Sequence, residues 1–275
     1  EVAFTRLHAG GKFNKDDGAS AYRFSGGLHG VGVSVTNALS TRLEVEVVRD
    51  GARHQMAFAG GAVVEPLRRV GDAPKKTTGT RLRAWPDPPF FDSPTIPLPQ
   101  LERLLRSKAL LLPGLQVSLT VEDGASSEWC FAKGMVQYLS EQLDAEMVAP
   151  VFSSEKYVAK GDETFPFGSG AAWAICWTAE GALARESYVN LIPTTAGGTH
   201  EAGLRQATLD AIRSFAEHHA LLPKGVKLAA EDVFARASFV LAVRMLDPSF
   251  QGQTKERLNS RDAVALVVRM LRNCY

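Results

Sequence analysis

The chain has three cysteines in 275 residues (Cys130, Cys176 and Cys274) and no Cys-x-x-Cys pair. That scarcity excludes a disulfide framework and a structural zinc site, and it points to a reducing compartment. No His, Cys and Asp residues stand at metal-ligand spacing, so no protein-held zinc is expected. No apolar run approaches the roughly 20 residues that cross a bilayer, and no signal-peptide pattern opens the chain. The sequence reads as cytoplasmic. An excess of one charge is missing too: 31 Lys and Arg face 30 Asp and Glu, a net +1. Any contact with nucleic acid must therefore come from a local basic patch rather than a bulk field. Repeats and low-complexity segments are absent. Two common phosphate signatures also fail. Gly11-Lys12 is followed by Phe13 rather than Ser or Thr, with no glycine five positions before Gly11, so there is no Walker A frame. Gly30-Val31-Gly32 lacks the third glycine of the dinucleotide fingerprint.

What is present is a glycine-rich run, Ser25-Gly26-Gly27-Leu28-His29-Gly30-Val31-Gly32-Val33. Its glycines let the backbone turn several N–H groups toward one point. Val33 to Leu39 then reads as a helix start, where orphan N–H donors and the positive dipole end favour an anion. The dipole share is only about 0.3–1 kcal/mol per charge at an exposed end, so several donors must act together. Two lysines stand in polar or glycine-flanked settings: Lys12 after Gly10-Gly11, and Lys255 in Gln253-Thr254-Lys255.

Along the chain, Asn14 to Tyr22 reads as a polar loop, either a flap over a ligand or an ordinary surface segment. Leu43 to Arg49 alternates with period two, Asp50-Gly51 signals a hairpin turn, and Arg53 to Phe58 supplies the return strand. Arg81 to Trp85 is another strand, Pro86 to Pro99 a loop, Leu101 to Leu112 a helix stopped by Pro113-Gly114, and Leu115 to Val121 a strand. A second block begins near the helix Met135 to Leu143. It holds strands at Ala171 to Thr178, Ser187 to Ile192 and Phe239 to Leu246, a Gly197-Gly198 loop, and a helix from Glu201 to His219. A division near residue 140 is expected, giving units 1–140 and 141–275. Glu1 is not Met, Val2 to Leu7 looks like an element already under way, and Arg261 to Tyr275 stops without a cap. Both ends look cut, so the chain reads as an internal piece of a longer protein.

Taken in order, Leu7 to Phe13, Ser25 to Ser40, Thr78-Gly79-Thr80 with Trp85-Pro86, Gly197-Gly198-Thr199-His200 and Gln253-Thr254-Lys255 resemble the ATPase subunit of bacterial type II DNA topoisomerases. Tyr188 to Thr194, Leu222 to Leu228 and Gln253 to Arg257 are more similar to the topoisomerase IV branch of these subunits than to the gyrase branch. The resemblance implies an α+β fold: a GHKL-type ATPase domain, N-terminally truncated, then a transducer domain with a left-handed βαβ crossover. It implies ATP and Mg2+ as cofactors. DNA, the DNA-cleaving subunit of topoisomerase IV (ParC) and a second copy of the ATPase subunit are implied as partners. In the family a glutamate base, an asparagine that holds magnesium and an adenine-binding aspartate precede the point where this chain begins. The piece by itself is therefore expected to hydrolyse ATP negligibly. Asn14 to Ala21 also looks longer than the family's usual lid.

Carried over residue by residue, Lys12 and Tyr22 belong to the ATP lid. Gly27, Leu28, His29, Gly30, Val31, Gly32 and Val33 line the phosphates, and Thr80 lies near the adenine. Gln253 and Lys255 match the transducer loop that reaches the γ-phosphate, where an ammonium stabilises charge built up in phosphoryl transfer. Arg205 matches an arginine facing the DNA passage, and Arg213, Lys224 and Lys227 could extend a basic lining with salt-dependent affinity. Each has a blander reading: a tight turn for the glycines, β-prone turn chemistry for Thr80, a solvated loop for Gln253 and Lys255, a solvated helix face for the basic residues. Glu231-Asp232 diverge on a helix and read as a cap or solvated turn. Three readings compete with an ATP-coupled topoisomerase IV subunit: a gyrase ATPase subunit, another GHKL member, and a DNA-guiding module that binds no nucleotide.

Overall fold

The computed structural model describes residues 1–9, 24, 30–93, 95–122, 124–143, 146–223 and 225–272. By internal packing the chain divides into two units, Glu1–Pro97 and Leu98–Tyr275. The division expected near residue 140 falls inside the second unit, because helices on both sides of that point pack on one sheet.

The first unit is built on a period-two pattern. It contains α1 (Val2–Thr5), α2 (Gly32–Ala38), β1 (Ser40–Arg49), β2 (Ala52–Ala59), β3 (Ala62–Asp72) and β4 (Gly79–Pro86). The strands form an antiparallel sheet ordered β3-β2-β1-β4. Asp50 and Gly51 both take positive φ, 51° and 79°, the backbone a tight two-residue hairpin needs. Leu43, Val45, Met56 and Phe58 are buried on one face, and Phe4 of α1 stacks on Phe58 at 5.3 Å. The opposite face is polar. Arg42 bridges Glu44 and Glu65, each at 2.7 Å, and Gln55 donates to Glu46 at 2.7 Å. Such exposed pairs contribute little, so the apolar face carries this sheet. The edge strand β3 holds Pro66, which an edge tolerates because the missing N–H is not needed for pairing.

The second unit is a three-layer sandwich. In chain order it comprises α3 (Leu98–Leu111), β5 (Val117–Thr120), β6 (Ser126–Trp129), α4 (Gly134–Gln142), β7 (Phe152–Tyr157), β8 (Gly170–Trp177), β9 (Arg185–Val189), β10 (Ile192–Pro193), α5 (Thr199–His218), α6 (Ala230–Phe234), β11 (Ala237–Arg244), β12 (Phe250–Gln251), β13 (Arg257–Leu258) and α7 (Asp262–Arg272). The central sheet runs β10-β9-β11-β8-β7. Among its described pairs only β9 and β11 are parallel, and α5 lies between them in sequence, a βαβ connection. Alternation on β11 sends Phe239, Leu241 and Val243 toward α5 and α7, and Val240 toward α3 and α4. Both faces are covered. At about 1.5–3 kcal/mol per fully buried large side chain, this two-sided core dominates the unit's stability. Gly203 lets α5 and α7 touch: a Cβ there would lie 2.8 Å from the Val264 carbonyl and 2.9 Å from the Val267 Cβ. The expected α+β class is what the chain shows.

Two sequence expectations change, and the end of one expected helix gains detail. The strand expected over Ser187 to Ile192 is broken at Asn190 and Leu191, with φ of 49° and 67°. The Asn190 side chain joins β11's continuation, donating to the Met245 carbonyl at 2.8 Å and accepting from its N–H at 3.1 Å. The helix ending at His219 closes through Ala220 at φ 51°, with Leu221 N–H returning to the Ala216 carbonyl at 2.9 Å. That is a left-handed C-terminal cap carried by alanine rather than glycine. Within the Pro86 to Pro99 loop, Pro88–Phe90 forms a short 3-10 turn.

Candidate functional site

The described end of the glycine run leads into helix α2. Gly30 has φ 61°, and helix α2 begins at Gly32 behind Val31. The first helical bond runs from Val35 N–H to the Val31 carbonyl at 2.9 Å. The N–H groups of Gly32, Val33 and Ser34 thus lie ahead of the ladder, where an incoming acceptor can take them. Among the described residues, a Cβ on Gly32 would meet nothing within 4 Å. Lys12, Tyr22, Gly27, Leu28 and His29 lie outside the described residues.

Asn37, which sequence reasoning passed over, holds this helix in place. It is fully buried, and its amide donates to the Phe4 carbonyl at 3.0 Å and the Gly61 carbonyl at 3.2 Å. One side chain therefore ties α2 to α1 and to the β2–β3 turn. The available signal was a lone amide at an inward position of a short Val-Ser-Val-Thr helix. Thr80 opens β4 opposite Val47, on the face it shares with Leu82 and Val45. It is exposed.

In the second unit, Gln253 and Lys255 stand on the tip joining β12 to β13. Gly252 and Lys255 have φ of 73° and 58°, which turn the chain back on itself. Gln253 is exposed and Lys255 half-buried. The base of this hairpin is fastened to the turn before α5. Ala196 N–H donates to the Glu256 carbonyl at 2.9 Å, Leu258 N–H to the Gly197 carbonyl at 3.0 Å, and Thr199 Oγ1 to the Ser260 carbonyl at 2.7 Å. Gly198, at φ 145°, allows this approach, since a Cβ there would sit 2.6 Å from the Leu258 nitrogen. The glycine pair read from the sequence as a loop is a close-approach point.

Beneath that turn lies a polar cluster. His200 is fully buried with Nε2 3.0 Å from Thr194 Oγ1, which is 2.6 Å from Ser187 Oγ, which donates to Glu201 at 2.7 Å. Burial pushes the His200 imidazole down to about 4, so it is neutral near pH 7.

The basic residues are engaged in different ways. Arg205 is half-buried, its guanidinium 4.7 Å from the Phe234 ring centre, a cation–π contact. Arg213 donates to the Leu228 carbonyl through Nε at 2.9 Å and through its terminal nitrogen. Lys227 is exposed beside it, on a concavity of about 650 Å³ also lined by Glu217 and Val226. Lys224 lies outside the described residues. Asp232 accepts from the Ala229 N–H at 2.7 Å and so caps α6. Among the described residues no three His, Cys, Asp or Glu side chains could hold a metal ion. Those residues do not fit magnesium. No helix among them is long and apolar enough to cross a membrane.

With this geometry in view, a family model described as DNA gyrase B matches residues 133–274. The B subunit of DNA topoisomerase 4 from Escherichia coli (strain K12) is 45% identical over 279 residues, spanning 100% of this chain and 42% of that protein. The chain therefore spans less than half the length of that curated relative. The topoisomerase IV ATP-binding domain of Francisella tularensis, solved with a small-molecule inhibitor, superposes with a TM-score of 0.69 at 36% identity, covering 90% of this chain and 67% of that one. The 43K ATPase domain of Thermus thermophilus gyrase B, solved with an aminocoumarin, gives 0.73 at 28% identity, covering 89% and 65%.

Proposed function

Because the chain belongs to the DNA gyrase B family, we propose that it is part of a topoisomerase IV ATPase subunit that couples ATP binding and hydrolysis to DNA strand passage. Its topoisomerase 4 relatives, matched over the whole chain, favour that branch over gyrase. The observation that carries the reading is the hairpin tip bearing Gln253 and Lys255, fastened at its base to the turn that starts α5. A lysine on such a tip can neutralise charge on transferring phosphoryl oxygens. The amides of Gly32 and Val33, with Gly30, Val31 and the lid residues Lys12 and Tyr22, would hold the phosphates, and Thr80 the base. Contact at Lys255 would bias the arrangement of the transducer, an order-and-hinge switch released by hydrolysis. Arg205 would face DNA, and Lys227, beside Arg213, would extend the basic lining. A second copy of the ATPase subunit and the DNA-cleaving subunit of topoisomerase IV would complete the assembly in the cytoplasm.

The test is Lys255→Ala in the intact protein. ATP turnover is expected to fall about a hundredfold, the scale of removing one donor to a developing charge, while DNA affinity in a salt series stays unchanged. Equal loss of turnover and DNA affinity would overturn the assignment.

A further inference from the structure

The buried polar cluster beneath the Gly197-Gly198 turn is not accounted for by nucleotide or DNA contacts. Its hydrogens run one way. A carboxylate only accepts, so the Ser187 hydroxyl hydrogen goes to Glu201 at 2.7 Å. Ser187 Oγ then accepts from the Thr194 hydroxyl at 2.6 Å, and Thr194 accepts from His200 Nε2–H at 3.0 Å. This assigns the imidazole tautomer from the network and leaves Nδ1 without a partner among the described residues. An orphaned buried nitrogen costs free energy, yet the cluster keeps it. The same carboxylate packs against the turn: a Cβ on Gly197 would lie 2.8 Å from Glu201 Oε2.

We infer that Ser187, Thr194, His200 and Glu201 form a positioning node that sets the Gly197-Gly198 turn and, through it, the hairpin carrying Gln253 and Lys255. The path is short and continuous. Ser187 lies on β9 and Thr194 just after β10, and Thr194 N–H donates to the Ser187 carbonyl at 2.9 Å. Gly197 N–H donates to the Thr194 carbonyl at 2.8 Å, and the Gly197 carbonyl accepts from Leu258 N–H at 3.0 Å. One acceptor, Glu201, orders the hydroxyl chain; the turn it packs against anchors the hairpin base. These side chains touch no substrate. They act on Lys255 by fixing where its strand ends begin. The catalytic half of this inference rests on the proposed role of Lys255.

Hydrogen exchange on this chain and ATP turnover of the intact protein test it together. Glu201→Ala is expected to speed exchange at the amides of Ala196, Leu258 and Asn259 about tenfold, the scale of losing one buried hydrogen bond. Amides of the β8–β11 ladder should keep their protection, and kcat should fall with little change in KM for ATP. Glu201→Gln keeps an oxygen for Ser187 and should restore both. Ser187→Ala, a smaller change that guards against misfolding, should give the same local pattern as Glu201→Ala. Uniform acceleration through the β8–β11 ladder, or unchanged exchange at the three amides, overturns the node. Lys255→Ala with normal turnover overturns the role of Lys255 and the catalytic half of the inference, while the exchange data still judge the node itself.

Discussion

The two units solve the burial problem differently. The sheet of the second unit is covered on both faces, by α5 and α7 on one side and α3 and α4 on the other. Among the described residues, the sheet of the first unit has one apolar cluster of four buried residues, with Phe4, Val47 and Val63 packed against it. Every residue of β4 is exposed. A sheet with one thin core has little to lose before it opens, whereas a two-sided sandwich spreads its stability over many contacts. The proposed function draws on both: Gly32 starts a helix in the lightly built unit, and the hairpin with Lys255 hangs from the heavily built one.

The largest expected effects come from removing one phenylalanine from each core. Phe58 is fully buried and stacks on Phe4, so Phe58→Ala should abolish exchange protection across the β1–β2 pairing altogether. Phe239 is equally buried, edge-on to Phe234 at 6.3 Å. Phe239→Ala should cost about 3–5 kcal/mol and lower the denaturant midpoint of the second unit without unfolding it. Segment-resolved hydrogen exchange reads both. If Phe58→Ala keeps its β1–β2 protection, the contrast between the units is wrong.

Next in size is an acid effect confined to the second unit. Burial holds His200 at about 4, below the ordinary value near 6.5 of the unfolded chain. Between those values the unfolded chain takes up a proton that the folded one refuses. Stability is therefore complete above about pH 6.5 and is lost as pH falls toward about 4, by at most about 3 kcal/mol. Urea midpoints of the second unit, followed from neutral to mildly acid pH, should show this slope. His200→Gln should flatten it. A slope unchanged by that substitution would mean that other groups carry the acid sensitivity.

How much of this was written in the sequence depends on how local the cause is. Asp50-Gly51 was legible because a positive-φ pair is a property of two residues. The apolar run over Phe239 to Leu246 was legible because a strand buried on both faces has no polar alternation to hide it. β3 was missed: Pro66, Arg68 and Arg69 suit an edge strand, and an edge has no pattern distinctive enough to read. β7, Phe-Ser-Ser-Glu-Lys-Tyr, was missed for the same reason at the other sheet's edge. The break at Asn190 was invisible because its cause lies 55 residues away, at Met245. The polar node was hidden likewise. Ser187, Thr194 and His200 fall in a strand, a loop and a helix, and only the fold joins them into one hydrogen-bonded chain.

The smallest expected effect is the most useful probe of the first unit. Leu82 lies on β4 opposite Val45, yet it is 48% exposed where Val45 is 8% exposed. A half-exposed leucine has about half its transfer free energy to lose, so Leu82→Ala should cost about 1 kcal/mol, read as a small drop in urea midpoint. The neighbouring Val45→Ala removes fewer atoms from a covered place and should still cost more. That inversion, the larger deletion doing less harm, is what a sheet face covered only in part demands. A cost for Leu82→Ala equal to that of a core leucine, about 2–5 kcal/mol, would show that this face is packed in solution, and the contrast between a thin core and a sandwich would fall with it.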